Sequence, residues 1–172
     1  MSRPACFTRS ILPCALFAAF ATVTAANAAD SCDALYNAGI KSIQAPHHVY
    51  TTTTLHGGKA RFAEAIFDGK VEYLQLNGKW THSPMSQQDM LEAAQEKLRK
   101  RPDTCVLAGE QTAGGQAVTA YKVHNNEAGT DQVVHILKSN GLLQSASLKL
   151  PDGSVVDTRY EYTDVHAPAG VQ

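Results

Sequence analysis

The chain has 172 residues, 44% hydrophobic and 18% charged, with 15 Lys and Arg against 16 Asp and Glu and a formal net charge of −1. That length fits one domain of ordinary size. The hydrophobic content is too high and the net charge too near zero for a disordered chain, and no basic excess exists to neutralise phosphates. Disorder and general nucleic-acid binding are excluded on these grounds.

The N-terminus reads as an export signal. Arg3 and Arg9 make a short positive region, no charged residue occurs from Ser10 to Ala29, and the apolar run closes on Ala26-Asn27-Ala28. Small residues at the two positions a signal peptidase reads predict cleavage after Ala28. The alternative is a retained anchor, but Pro13, Thr22, Thr24 and Asn27 dilute the run, so no stable membrane anchor is expected after cleavage. Pro13 stands before Cys14 where a lipidated cysteine needs a small residue, which argues against a lipid anchor. Residues 1–28 are thus read as a signal peptide, 29–165 as one α+β domain and 166–172 as a loose tail rich in Pro, Gly and Ala.

Removing the leader leaves 144 residues with 13 basic and 16 acidic side chains, a net charge of −3 and 40% hydrophobic content. Only Cys32 and Cys105 remain, separated by 72 residues. In an exported chain two cysteines most simply form one disulfide, for which loop closure gives about 4 kcal/mol. The competing reading, a catalytic thiol, finds no CxxC and no thiol-enzyme motif.

In chain order, Asp30 or Ser31 can cap a helix whose Cys32, Leu35, Tyr36, Ile40 and Ile43 share one stripe, and Pro46 stops it. The β-branched run from His47 to Leu55 predicts a strand. A turn at His56-Gly57-Gly58-Lys59 and hairpin pairs at Asp68-Gly69 and Asn77-Gly78 separate three more strands, at 61–67, 71–76 and 79–82. Ser86 opens a second helix to Arg101, with Asp89 completing a capping box and Met90, Leu91, Ala94 and Leu98 making a narrow apolar stripe. Five further strands follow, at 104–110, 116–124, 132–138, 142–150 and 154–165, each joined by a short turn. Nine antiparallel strands with two helices predict a curved α+β sheet or half-barrel, one helix covering its concave face. In the last strand Val156, Thr158, Tyr160 and Tyr162 share a side meant for a core or pocket, while Asp157, Arg159 and Glu161 share a side meant for water.

The stretch Gly109-Glu110-Gln111-Thr112 with Gly115 to Val123 resembles a segment of periplasmic lipoprotein-carrier-like (LolA/LolB-like) proteins. So do Val134-His135-Ile136-Leu137-Lys138, Gly141-Leu142-Leu143 and Tyr160-Glu161-Tyr162-Thr163-Asp164-Val165, giving a resemblance over roughly residues 104–167. It implies a curved antiparallel half-barrel, lined with apolar side chains and covered by helices, that binds an acyl chain or other apolar ligand in its concavity.

Reactive chemistry is sparse. The adjacent His47 and His48 point to opposite sides of a strand, and His82, His124, His135 and His166 lie on separate segments, so scattered surface histidines are favoured over a metal site. There is no GxSxG, no phosphate loop and no carboxylate pair at a selective spacing, so no catalytic, cofactor or metal residue is assigned and no enzyme is expected. The candidates that remain are aromatic and apolar: Tyr50, Phe62, Tyr73, Trp80, Met90, Leu91, Tyr160 and Tyr162 are expected to line a ligand, with plain core packing as the alternative for each. Trp80 and the Met90/Leu91 edge are expected at the pocket mouth. The expected partner is a lipid or other apolar small molecule; the alternatives are an envelope protein partner without ligand, or a histidine-dependent metal protein or enzyme.

Overall fold

A computed structural model describes residues 28–171. The predicted leader lies outside the described residues except for Ala28, the first residue of helix α1 (Ala28–Gln44). That start precedes the capping position expected at Asp30 or Ser31. Strands β1 (His47–Thr54), β2 (Ala60–Phe67), β3 (Glu72–Leu76) and β4 (Lys79–His82) follow, then helix α2 (Gln87–Lys100). Strands β5 (Asp103–Ala113), β6 (Gln116–Asn125), β7 (Thr130–Leu137), β8 (Leu143–Lys149) and β9 (Val155–Glu161) complete the chain.

All nine strands form one open antiparallel sheet in the order β4-β3-β2-β1-β9-β8-β7-β6-β5. Each hairpin pairs with its neighbour in sequence, as short connections require. The one long-range join is β1 to β9, with Val49 opposite Tyr160 and Tyr50 opposite Arg159. This join makes β4 and β5, consecutive in the chain, the two far edges of the sheet.

Helix α2 is delimited as its sequence predicts. The Ser86 side chain accepts from the Asp89 backbone N–H at 3.1 Å, and Asp89 Oδ2 accepts from the Ser86 backbone N–H at 2.9 Å. The Ser86 hydroxyl lies 2.7 Å from the same Oδ2, and its hydrogen bond, with that of the Ser86 backbone N–H, holds the Asp89 carboxyl below its ordinary value. At the other end Arg101 takes a left-handed conformation, φ 49°, and Pro102 prevents continuation.

Register sorts the sheet into two faces. On one, Cys105 of β5, Tyr121 and Val123 of β6, and Val134 and Ile136 of β7 pack against Cys32, Leu35, Tyr36 and Ala38 of α1. The Cys32–Cys105 disulfide, with Cα atoms 5.2 Å apart, pins the first turn of α1 to β5. Ser42 pins the other end: its Oγ, in a residue 2% exposed, accepts from the Leu143 backbone N–H at 2.9 Å and bonds the Tyr162 hydroxyl at 3.0 Å. Helix α1 is therefore fixed across β5 to β8, and one face of the sheet is helix-covered while the other is helix-free.

Two strands depart from their predicted lengths. β5 runs on to Ala113 through a bulge at Gly109, whose φ of 115° suits glycine. β9 stops at Glu161 rather than Val165, because Tyr162 leaves the ladder and its hydroxyl donates to the Leu143 carbonyl at 2.7 Å.

Candidate functional site

Helix α2 lies beside α1 and has no buried residue. Side-chain contacts attach it, among them the Arg101–Asp33 ion pair at its C-cap. Leu98 packs on the edge of the α1 cluster, Gln87 Nε2 donates to the Ile43 carbonyl at 3.1 Å, and Lys97 Nζ sits 2.9 Å from Asp103 Oδ2. Asp103 is the unusual member, because its side chain is fully buried and also accepts from Asn125 Nδ2 at 2.8 Å. A buried carboxylate needs such partners, so Lys97 couples the helix to the end of β5.

Between the two helices and the sheet lies a cavity of about 210 Å³. Leu35, Gly39 and Ile43 of α1, Ala94 of α2, Val134 of β7 and Tyr160 of β9 give it apolar walls, and Tyr36, Lys97 and Gln132 add polar atoms. The Tyr36 hydroxyl is buried next to Asp103. Burial first, and then the charge of Asp103, push its pKa above 10.0. Burial raises Tyr160 likewise. The volume exceeds that of an engineered apolar cavity of about 150 Å³ that binds benzene, and is below the roughly 300–1,000 Å³ of a drug-sized pocket.

Register divides the residues expected to line a ligand. Tyr160 lines the cavity, while Tyr162 is half-buried beside it, its pKa pushed up to about 12 by burial. Met90 and Leu91 are half-buried on α2, one turn before Ala94. Tyr50, Phe62, Tyr73 and Trp80 stand on the opposite, helix-free face, since Tyr50 is directly across from Arg159 and Glu64, and Tyr73 from Ile66 and His82. Tyr73 is buried there, with its hydroxyl 3.3 Å from Asp68 Oδ2. Trp80 is half-buried, its ring 6.4 Å from that of His48, and Phe62 is 78% exposed. Of the residues around the cavity only Tyr160 was expected to line a ligand. Tyr36 and Ala94 stood on the apolar stripes of their helices, and Lys97 among the basic residues late in α2.

The helix-free face carries a polar lattice. Arg159 lies 4.3 Å over the Tyr50 ring and pairs with Glu161, which it holds below the ordinary carboxylate value. The Tyr50 hydroxyl donates to Glu161 Oε2 at 3.1 Å, and His48 Nε2 meets Glu64 Oε2 at 3.0 Å. His135 sits 2.8 Å from Ser145 Oγ, a spacing that invites comparison with a nucleophile and base. The bonds run the other way. Gln111 Nε2 is 2.6 Å from His135 Nε2, and Ser145 Oγ donates to Gln144 Oε1 at 2.6 Å, so His135 Nδ1 supplies the proton to Ser145 rather than taking one. The chain of bonds ties β5, β7 and β8 together and activates no hydroxyl.

The histidines are not uniformly on the surface. His47 is 6% exposed, packed among the rings of Phe67, Tyr160 and Tyr162, with Nδ1 2.8 Å from the Ala45 carbonyl. His124 pairs with Asp131 at 2.8 Å. Among the described residues no three His, Cys, Asp or Glu side chains are grouped to hold a metal ion.

No protein-family model matches the sequence, and no curated protein does. Solved structures resemble the fold loosely. LprF from Mycobacterium bovis matches at 11% identity and a TM-score of 0.46 over 83% of this chain and 99% of that one. MucB matches at 16% and 0.47 over 85% of this chain, which spans only 63% of MucB. A LolA superfamily protein from Nitrosomonas europaea matches at 7% and 0.34 over 76% of this chain and 91% of that one. At such identities and scores the likenesses are of backbone arrangement, and no ligand or partner is transferred from them.

Proposed function

We propose that this is an exported envelope protein, cleaved after Ala28, whose domain of residues 29–165 binds a small apolar ligand between helix α2 and the sheet. The observation that carries the reading is the cavity beneath a helix none of whose residues is fully buried. Its walls are apolar, and the buried Tyr36 hydroxyl puts one polar group among them. Tyr160 serves as a wall and Met90 and Leu91 as the edge of the lid; Tyr50, Phe62, Tyr73 and Trp80 have no part in this site. Export is supported by the leader pattern and by the Cys32–Cys105 disulfide, which suits an oxidising compartment. No helix among the described residues is long and apolar enough to cross a membrane. The absence of an activated nucleophile in the Gln111-His135-Ser145 chain favours binding over catalysis.

Native mass spectrometry of protein recovered from the exporting cell tests this reading. The expected spectrum shows a mass above that of the polypeptide, reduced in Leu91→Asp. A clean polypeptide mass, together with no uptake of a fluorescent fatty acid, would overturn it.

A further inference from the structure

The helix-free face holds a larger hollow than the cavity beneath α2, about 480 Å³, which is the size of a small-molecule site. Register explains its floor. Val106, Lys122, Val133 and Ser147 form one cross-strand row from β5 to β8, and His124, Asp131, Lys149 and Val155 form the next, from β6 to β9. Val133, 36% exposed, stands in the middle, with Val106 on one side and Val155 on the other, so the floor is aliphatic.

Two lysines stand on this floor. The cross-strand neighbours of Lys122 are Val106 and Val133, which offer it no carboxylate. Those of Lys149 are Asp131 and Val155, and Asp131 is taken by His124 at 2.8 Å. Neither lysine forms an ion pair among the described residues. Lys122 on β6 and Lys149 on β8 are two strands and two residues apart, about 12 Å between Cα atoms at ~4.8 Å per strand and ~3.4 Å per residue, with β7 and its Val133 between them. The domain is acidic as a whole, so two uncompensated cations on either side of an apolar floor are a local exception.

We propose that this hollow binds a small organic dicarboxylate, a molecule with one carboxylate at each end of an apolar body. The body lies on Val133, and Lys122 and Lys149 each donate to one carboxylate. A monocarboxylate satisfies one lysine only, and a neutral apolar molecule satisfies neither. Asp157, opposite Ser147 in the register, and Glu161 further along β9 are on the same face and repel an extended anionic layer such as a lipid surface, so the attraction is confined to the hollow. The inference is independent of the cavity beneath α2, which lies on the other face.

The test is an amide chemical-shift titration of the exported protein with naphthalene-2,6-dicarboxylate, beside 2-naphthoate, which has the same body and a single carboxylate. Saturable shifts are expected around Lys122, Val133 and Lys149, with the dicarboxylate at least ~3-fold tighter at low ionic strength and its advantage shrinking as salt is added. Lys122→Met and Lys149→Met, each singly, should abolish that advantage at unchanged thermal midpoints. Val133→Asp should remove binding of both probes, and Ala94→Trp, which fills the cavity beneath α2, should leave both as they are. The proposal is overturned by equal affinity of the native protein for the two probes, by an advantage that survives both lysine substitutions, or by shifts that centre on α2 and vanish in Ala94→Trp. It is equally overturned by the absence of saturable shifts, or by a concentration-dependent dimer that Val133→Asp dissociates, since the occupant is then a second copy.

Discussion

The two faces of the sheet use the same strands, offset by one residue, and do different work. On the helix-covered face Cys105, Val123, Val134 and Ile136 are each less than 9% exposed and carry the packing of α1. On the helix-free face the residues one position along, Val106, His124, Val133 and His135, are exposed or half-buried and are held by hydrogen bonds and ion pairs or left open. Alternation creates both faces, but only the landing of α1 decides which one becomes core. Cys32–Cys105 and Ser42 fix that landing at its two ends.

The comparison breaks first at the disulfide. Replacing Cys32 and Cys105 by Ser should cost about 2–5 kcal/mol in urea unfolding. Intact protein unfolded without reductant should show no alkylatable thiol at these two positions, and two freely modified cysteines would remove the anchor from the account. Ile136→Ala, on the same face, should cost about 2–5 kcal/mol by leaving a cavity under α1. A smaller effect separates the faces by pH. Burial lowers the His135 pKa from 6.5, so below that value the unfolded chain binds a proton that the folded chain resists. The stability held by neutral His135 is complete above about pH 6.5 and is lost as pH falls toward its folded value; His135→Gln should flatten the stability profile over that window. Smallest of all, Phe62→Ser on the helix-free face should change stability by no more than about 0.5 kcal/mol. A loss equal to that of Ile136→Ala would mean the faces are not distinct in the way described.

Much of the architecture was legible in the residues. Gly-containing turns and β-branched runs place the strands, Ser86 with Asp89 places α2, and the cysteine count anticipates the link from the first helix to β5. The pairing of β1 with β9 was not legible, because it joins segments about a hundred residues apart with no turn to announce it. The division of the candidate site follows from that. Parity along a strand groups Tyr160 with Tyr162, but nothing in β1 says whether Tyr50 or Val49 shares their face until the register sets Val49 opposite Tyr160. The cavity residues were hidden for another reason. Ala94 belongs to the narrow apolar stripe of α2 and Lys97 to its basic last turn, and they become one wall only because α2 rests beside α1 rather than in the core.

The central claim is that the space beneath α2 receives an apolar ligand. Titration of the exported protein with 11-(dansylamino)undecanoic acid, beside the Ala94→Trp variant that fills this space, tests it most directly. The account predicts saturable fluorescence enhancement with the native protein and loss of that enhancement in Ala94→Trp at a similar thermal midpoint. Equal enhancement in both proteins, or none with the native protein, would contradict it.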